Sequence, residues 1–211
     1  MAGFLTVSGR VAAMPGANID TDVIMPKTFL KGIDRSGLAA GLFHDLRFDE
    51  TGAVRGDFIL NHPGMADTRF LLVGPNFGCG SSREHAVWGM LQYGIRGIIG
   101  SSYGAIFADN AANNGLLLLS LPETQIAALA DELVDGAGMM TVDLDAQRIE
   151  LGAYAADFDI DSAARRALMQ GLDRIGETLT HAPRIRAFEE AYLARRPWLR
   201  DGDRDRADSL S

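Results

Sequence analysis

Apolar and polar residues alternate loosely over residues 4–13, and that spacing predicts a strand. The following stretch, PGANIDTDVIMPKTFLKGID (15–34), keeps neither a two-residue nor a 3.6-residue period. Its Gly, Asn, Asp and Pro residues mark turns, so it reads as a long loop with short helical pieces. Ile19, Val23, Ile24, Met25, Phe29 and Leu30 give it apolar content. A loop of that length and composition is expected to be ordered and functional.

Residues 37–48 predict a short helix and turn, and DFILN (57–61) a strand. RFLLV (69–73) is a short apolar run of the buried-strand type. In SSREHAVWGMLQYG (81–94), Ala86, Val87, Met90 and Leu91 recur at helical spacing, and Gly94 suits the stop. Ser81 and Glu84 have the spacing of a capping box. A buried strand at 97–100, a helix over 101–113, a leucine strand at 116–119 and an amphipathic helix over 122–134 follow. This rhythm predicts an α/β fold with a parallel β/α unit. After Gly138 the texture changes to two or three antiparallel strands with polar turns. Residues 162–196 read as helical, with breaks at Gly171, Gly176 and Pro183. One domain is expected over 1–197, with a disordered tail over 198–211.

Composition narrows the function classes. The 211 residues are 47% apolar and 23% charged, which is ordinary for a globular protein. A net charge of −8, with no basic cluster before the tail, excludes a nucleic-acid surface. No apolar run approaches the ~18 residues of a membrane span, and the N-terminus lacks the pattern of a signal peptide. The single cysteine, Cys79, cannot form an internal disulfide, nor by itself hold an iron–sulfur cluster. A cytoplasmic protein is expected. The four histidines show no metal-ligand spacing, so no metal site is expected in this chain.

The densest chemistry lies in GPNFGCGSSREH (74–85). Glycines before a helix let backbone turn tightly and approach a ligand. The helix start offers unpaired amides and the positive end of a dipole, which together attract an anion. Arg83 adds a planar fork that matches a carboxylate. The loop lacks the Lys-Ser/Thr ending of a phosphate-binding P-loop. Two readings stand side by side: Ser81 is a helix cap and Arg83 a solvated first-turn residue, or both act on a carboxylate. A hydroxyl committed to the capping box is not free to act as a base. Cys79 is either a small residue that fits the turn or a thiol activated by the helix start.

The segments ANIDTDVIMPKTFLK, GPNFGCGSSREH through NNGLL, and QGLDRIGETL together resemble the small swivelling domain of the aconitase superfamily. Within it, they are similar to the isopropylmalate dehydratase small-subunit family. The resemblance spans roughly residues 4–190 and implies an aconitase-type swivelling β/β/α domain. It further implies a hydro-lyase that interconverts 2-isopropylmalate and 3-isopropylmalate through 2-isopropylmaleate in leucine biosynthesis. The implied partner is a large subunit that bears a [4Fe–4S] cluster. Matched position by position, Ser81 is the base that removes a carbon-bound proton, and Ser82 and Arg83 hold a substrate carboxylate. Asp22 matches an aspartate of the catalytic network. Gly78, Cys79 and Gly80 shape the loop, and their backbone helps stabilise the Ser81 alkoxide.

In related enzymes the loop after the Asp-Thr-Asp turn selects the substrate. Here Phe29, Leu30 and Lys31 stand in that position. Phe29 and Leu30 either meet an isopropyl group or pack on the core. An apolar pocket discriminates one methylene by only about 1–3 kcal/mol. A related hydro-lyase acting on methylmalate- or dimethylmalate-type acids therefore remains an alternative. A non-catalytic dicarboxylate-binding module is an alternative of another class.

Overall fold

The computed structural model describes residues 3–30 and 36–199. Most of the expected tail, 200–211, lies outside the described residues. The chain divides into two compact units, one ending at Asp173 and one beginning at Arg174. That boundary falls inside the span 1–197, which the sequence presents as one domain.

In the first unit the strands β1 (Thr6–Met14), β2 (Thr68–Val73), β3 (Gly97–Gly100), β4 (Leu117–Ser120), β5 (Ala137–Asp143), β6 (Arg148–Leu151) and β7 (Tyr154–Asp157) form one sheet. Its order is β4-β3-β2-β1-β5-β6-β7. Neighbouring strands from β1 to β4 run parallel. Those from β1 through β5 and β6 to β7 pair antiparallel. The expected α/β fold is observed, with β1 as the joint between its two halves.

The apolar run in β2 explains the layering. Leu71 and Val73 point into one core, with Ala86, Val87 and Met90 of α3 (Glu84–Tyr93) and with Phe107 and Ala111 of α4 (Ala105–Asn114). Phe70 and Leu72 point into the other, with Leu129 of α5 (Glu123–Asp131), Val142 and Ile149. A strand covered on both faces reads as continuously apolar, as parallel strands do. Burial of each such large side chain stabilises by about 1.5–3 kcal/mol.

DFILN does not form the expected strand. Ile59–Asn61 is a turn of 3-10 helix. The edges of β1 are already taken by β2 and β5. Phe58, Ile59 and Leu60 all pack against the same core, so no period of two is expressed. Asn61 closes the segment by donating to the carbonyls of Arg47 and Arg55, at 2.7 and 2.8 Å.

Tyr103 joins β3 to β4. Its hydroxyl lies 2.9 Å from the Ile98 carbonyl and 2.7 Å from that of Leu119, one on each strand. Burial pushes the phenol pKa far above its usual range, so it remains a donor at any physiological pH. Tyr103→Phe keeps the ring and removes the one proton those two carbonyls share. It is expected to cost about 1–3 kcal/mol and to lower the thermal midpoint by several degrees, read by calorimetry.

The first unit also contains α1 (Thr21–Ile24), α2 (His44–Arg47) and α6 (Ser162–Gln170). Gly171 ends α6 in the left-handed conformation, as the sequence indicates. The second unit holds α7 (Arg174–Thr180) and α8 (Ala182–Ala194). Pro183 starts α8 rather than breaking a helix, because its missing amide costs nothing in the first turn. Gly176 lies within α7 and does not interrupt it. No helix among the described residues is long and apolar enough to cross a membrane.

Candidate active site

Two segments about sixty positions apart meet at the carboxyl ends of β1 and β2. Asp20 and Cys79 pair as a parallel bridge. The Gly78 amide donates to the Ile19 carbonyl at 2.7 Å, and the Thr21 amide to the Cys79 carbonyl at 2.9 Å. The Asp20 carboxylate caps α1 by accepting from the Val23 amide at 2.8 Å. A second bridge, Phe77 to Tyr103, fixes the same loop to the end of β3. The Asn76 side-chain amide donates to Asn18 Oδ1 at 2.7 Å, beside these bridges.

Gly78 and Gly80 sit at φ +73° and +96°, where a side chain is strained. They turn the chain sharply on both sides of Cys79. The Cys79 side chain is half-buried, while its backbone makes the contacts that hold the loop to α1.

The expected capping box does not form. α3 begins at Glu84, and its N-cap is Arg83, without a side-chain cap. Glu84 Oε1 instead accepts from Asn114 Nδ2 at 2.8 Å, and Asn114 Oδ1 accepts from Trp88 Nε1 at 2.9 Å. The tertiary contact with α4 takes the carboxylate that the box would use. Ser81 and Ser82 therefore precede the helix and are exposed. The His85 ring packs tilted against the Trp88 indole, with ring centroids 4.8 Å apart.

Thr21, which the sequence reading passed over, is 2% exposed and holds Ser81 in place. Its hydroxyl donates to the Ser81 carbonyl at 2.9 Å and lies 3.5 Å from Ser81 Oγ. The available signal was its place between two aspartates. Asp22 forms an ion pair with Arg83. The Arg83 guanidinium, 10% exposed, also donates to the Met25 carbonyl at 3.3 Å. Asp22, Ser81 and Arg83 are thus brought together through Thr21 and the end of α1.

Phe29 and Leu30 lie in the 3-10 turn Lys27–Leu30 and pack, partly buried, against the first core. The Phe29 ring is 4.9 Å from the His44 imidazole. Lys31 lies outside the described residues.

The chain's one cysteine gives an iron–sulfur cluster no second thiolate. No group of three or more His, Cys, Asp or Glu among the described residues is arranged to hold a metal ion. The residues present do not fit a resident cluster.

Comparison with known proteins places this arrangement. The profile of the aconitase C-terminal domain matches residues 1–124. A second profile, the C-terminal domain of the 3-isopropylmalate dehydratase small subunit, matches residues 175–201. The "3-isopropylmalate dehydratase small subunit 2" of Salmonella typhimurium is 51% identical over 201 residues, 95% of this chain and 97% of that protein. The chain belongs to the 3-isopropylmalate dehydratase small-subunit family. Another member, "3-isopropylmalate dehydratase small subunit 1" of Chromobacterium violaceum, is 45% identical over 92% of each chain. The crystal structure of a Methanocaldococcus jannaschii 3-isopropylmalate dehydratase superposes with a TM-score of 0.64 at 25% identity. It covers 88% of this chain and 99% of that one. The small-subunit family thus accounts for both units, and the aconitase profile covers the segments that build the Ser81–Arg83 site.

Proposed function

We propose that this chain is the small subunit of a 3-isopropylmalate dehydratase. As half of an active site, it would interconvert 2-isopropylmalate and 3-isopropylmalate through 2-isopropylmaleate in leucine biosynthesis. The observation that carries this reading is 51% identity to a small subunit over nearly the whole of both chains. The geometry around Ser81 supports the division of labour.

In this reading Ser81 takes the carbon-bound proton. Its hydroxyl is exposed and precedes the α3 cap, so it is not tied up in a capping box. A serine is a weak base unless its alkoxide is stabilised. The helix start, the Gly78–Cys79–Gly80 backbone and the Arg83 cation supply positive potential there. Arg83 and Ser82 bind the carboxylate next to the carbon that loses the proton. Asp22 fixes the Arg83 fork through their ion pair. Phe29 and Leu30 form the side of the site that meets the isopropyl group. The [4Fe–4S] cluster belongs on the large subunit, and the chemistry at the hydroxyl group with it. The cytoplasm is the compartment that suits such an enzyme.

The test mixes this chain anaerobically with the cluster-bearing large subunit of the same organism. 3-Isopropylmalate is added, and absorbance of the alkene intermediate is followed. Signal from the mixture but from neither component alone is expected. Dicarboxylate binding by this chain alone, with no turnover in the mixture and the cluster intact, would replace this reading with a binding module.

The loop geometry makes a further demand. At Gly78 an added methyl is strained by the positive φ, and its Cβ would run into the Phe107 ring. Gly78→Ala is expected to shift Ser81 and lower kcat by about 10²-fold. A second change, Phe107→Leu, should return part of that loss, as steady-state kinetics of the reconstituted enzyme would show.

A further inference from the structure

Asp22 faces two cations on one carboxylate oxygen. The Arg83 guanidinium pairs with Oδ1 from the buried side, and the Lys27 ammonium approaches the same atom at 3.9 Å from the solvent side. The three side chains are 10%, 76% and 51% exposed for Arg83, Lys27 and Asp22. The neighbouring carboxylate, Asp20, is turned to the Val23 amide at the α1 cap. Among the described residues, two positive charges around one negative charge leave the cluster one anion short.

Among the described residues, Arg83 is also incompletely used. Its ion pair to Asp22 and its bond to the Met25 carbonyl both run through Nη1. The Nη2–Nε edge is the fork that a carboxylate would take. A substrate carboxylate arriving there brings a second negative charge beside Asp22. Like charges at that distance repel, and Arg83 alone cannot neutralise both. An exposed pair at 3.9 Å adds little to stability, so Lys27 is free to reorient.

Resting on the reading of this site as the carboxylate site of a dehydratase, we propose that Lys27 is a positioning residue for substrate binding. Its ammonium offsets the charge of Asp22 as the Nη2–Nε edge of Arg83 takes the incoming carboxylate. No bond forms or breaks in this exchange. Arg83 keeps Asp22 on Nη1 throughout, and Lys27 offsets the charge of Asp22 once the site is filled.

The test is steady-state kinetics of the reconstituted heteromer with 3-isopropylmalate across a series of salt concentrations. Lys27→Met is expected to raise KM about tenfold with kcat within about threefold. The dependence of KM on ionic strength should flatten, because one screened charge has gone. Lys27→Arg, which retains the cation, should restore both KM and its salt dependence. In an Asp22→Asn background, Lys27→Met should have little further effect on KM, because the charge it balances is absent. A wild-type enzyme that turns over while Lys27→Met keeps the wild-type KM and salt slope overturns the Lys27 proposal alone. A wild-type heteromer that fails to turn over 3-isopropylmalate overturns the dehydratase reading and this proposal with it. Equal losses in Lys27→Met and Lys27→Arg would show a structural role and also overturn it.

Discussion

Ser81→Ala is expected to lower kcat of the reconstituted enzyme by about 10²–10⁴-fold, the range for loss of a positioned proton-transfer group. KM for 3-isopropylmalate should change by less than threefold. The split follows from the geometry. In the proposed assignment carboxylate binding rests on Arg83, whose partners Asp22 and the Met25 carbonyl are not bonded to the Ser81 side chain. The Thr21 hydroxyl donates to the backbone carbonyl of Ser81, a bond that alanine keeps. The fold around the site should therefore survive, and an unchanged thermal midpoint would show that it does. Ser82→Ala is the internal control, since that hydroxyl is assigned to binding and should move KM more than kcat. Wild-type kcat in Ser81→Ala would remove Ser81 from proton transfer and leave the site as a carboxylate-binding surface.

Much of the fold was legible because local pattern and tertiary environment agree there. Phe70–Val73 of β2 and Ile98–Ile99 of β3 are apolar because both faces are covered, and α3 and α5 carry apolar residues at helical spacing toward a sheet. Where local pattern competes with tertiary contact, the sequence reading fails. The capping-box spacing of Ser81 and Glu84 is real, yet Asn114 on α4 takes the Glu84 carboxylate. DFILN has strand-like composition, but both sides of β1 are taken and its apolar side chains sink together into one core. Pro183 breaks a helix in the middle but opens one at the first turn, and only the position of the start decides which.

The candidate site was legible in a different way. Its residue types came from the resemblance and from the chemistry of Gly-Ser-Ser-Arg. Their assembly did not, because it depends on two short bridges between segments far apart in sequence. Thr21 illustrates the gap: a threonine in a polar turn looks like an ordinary turn residue until the Ser81 carbonyl is placed against it. Phe29 and Leu30 show the converse. Their apolar character serves the first core in this chain, whatever they also present to a substrate.

Arg83→Lys keeps the positive charge and tests whether the fork itself matters. The expected result is a rise in KM of about 10–10²-fold together with a fall in kcat of about tenfold. A hydrogen bond to a charged group contributes about 1.5–3 kcal/mol, and lysine offers a point charge where arginine offers a planar edge. The wild-type side chain is 10% exposed and already joins Asp22 to the Met25 carbonyl through one nitrogen. A lysine reaching the same carboxylate has no rigid second edge to present to a ligand, so it must choose between Asp22 and substrate. That competition should weaken ground-state binding and, because the substrate is then held less firmly against Ser81, slow proton removal as well. Arg83→Ala should be worse in both constants and should also destabilise the junction of α1 with the loop, visible as a lower thermal midpoint. If Arg83→Lys matches wild type in both KM and kcat, charge alone suffices at this position and the carboxylate is not gripped by the guanidinium edge.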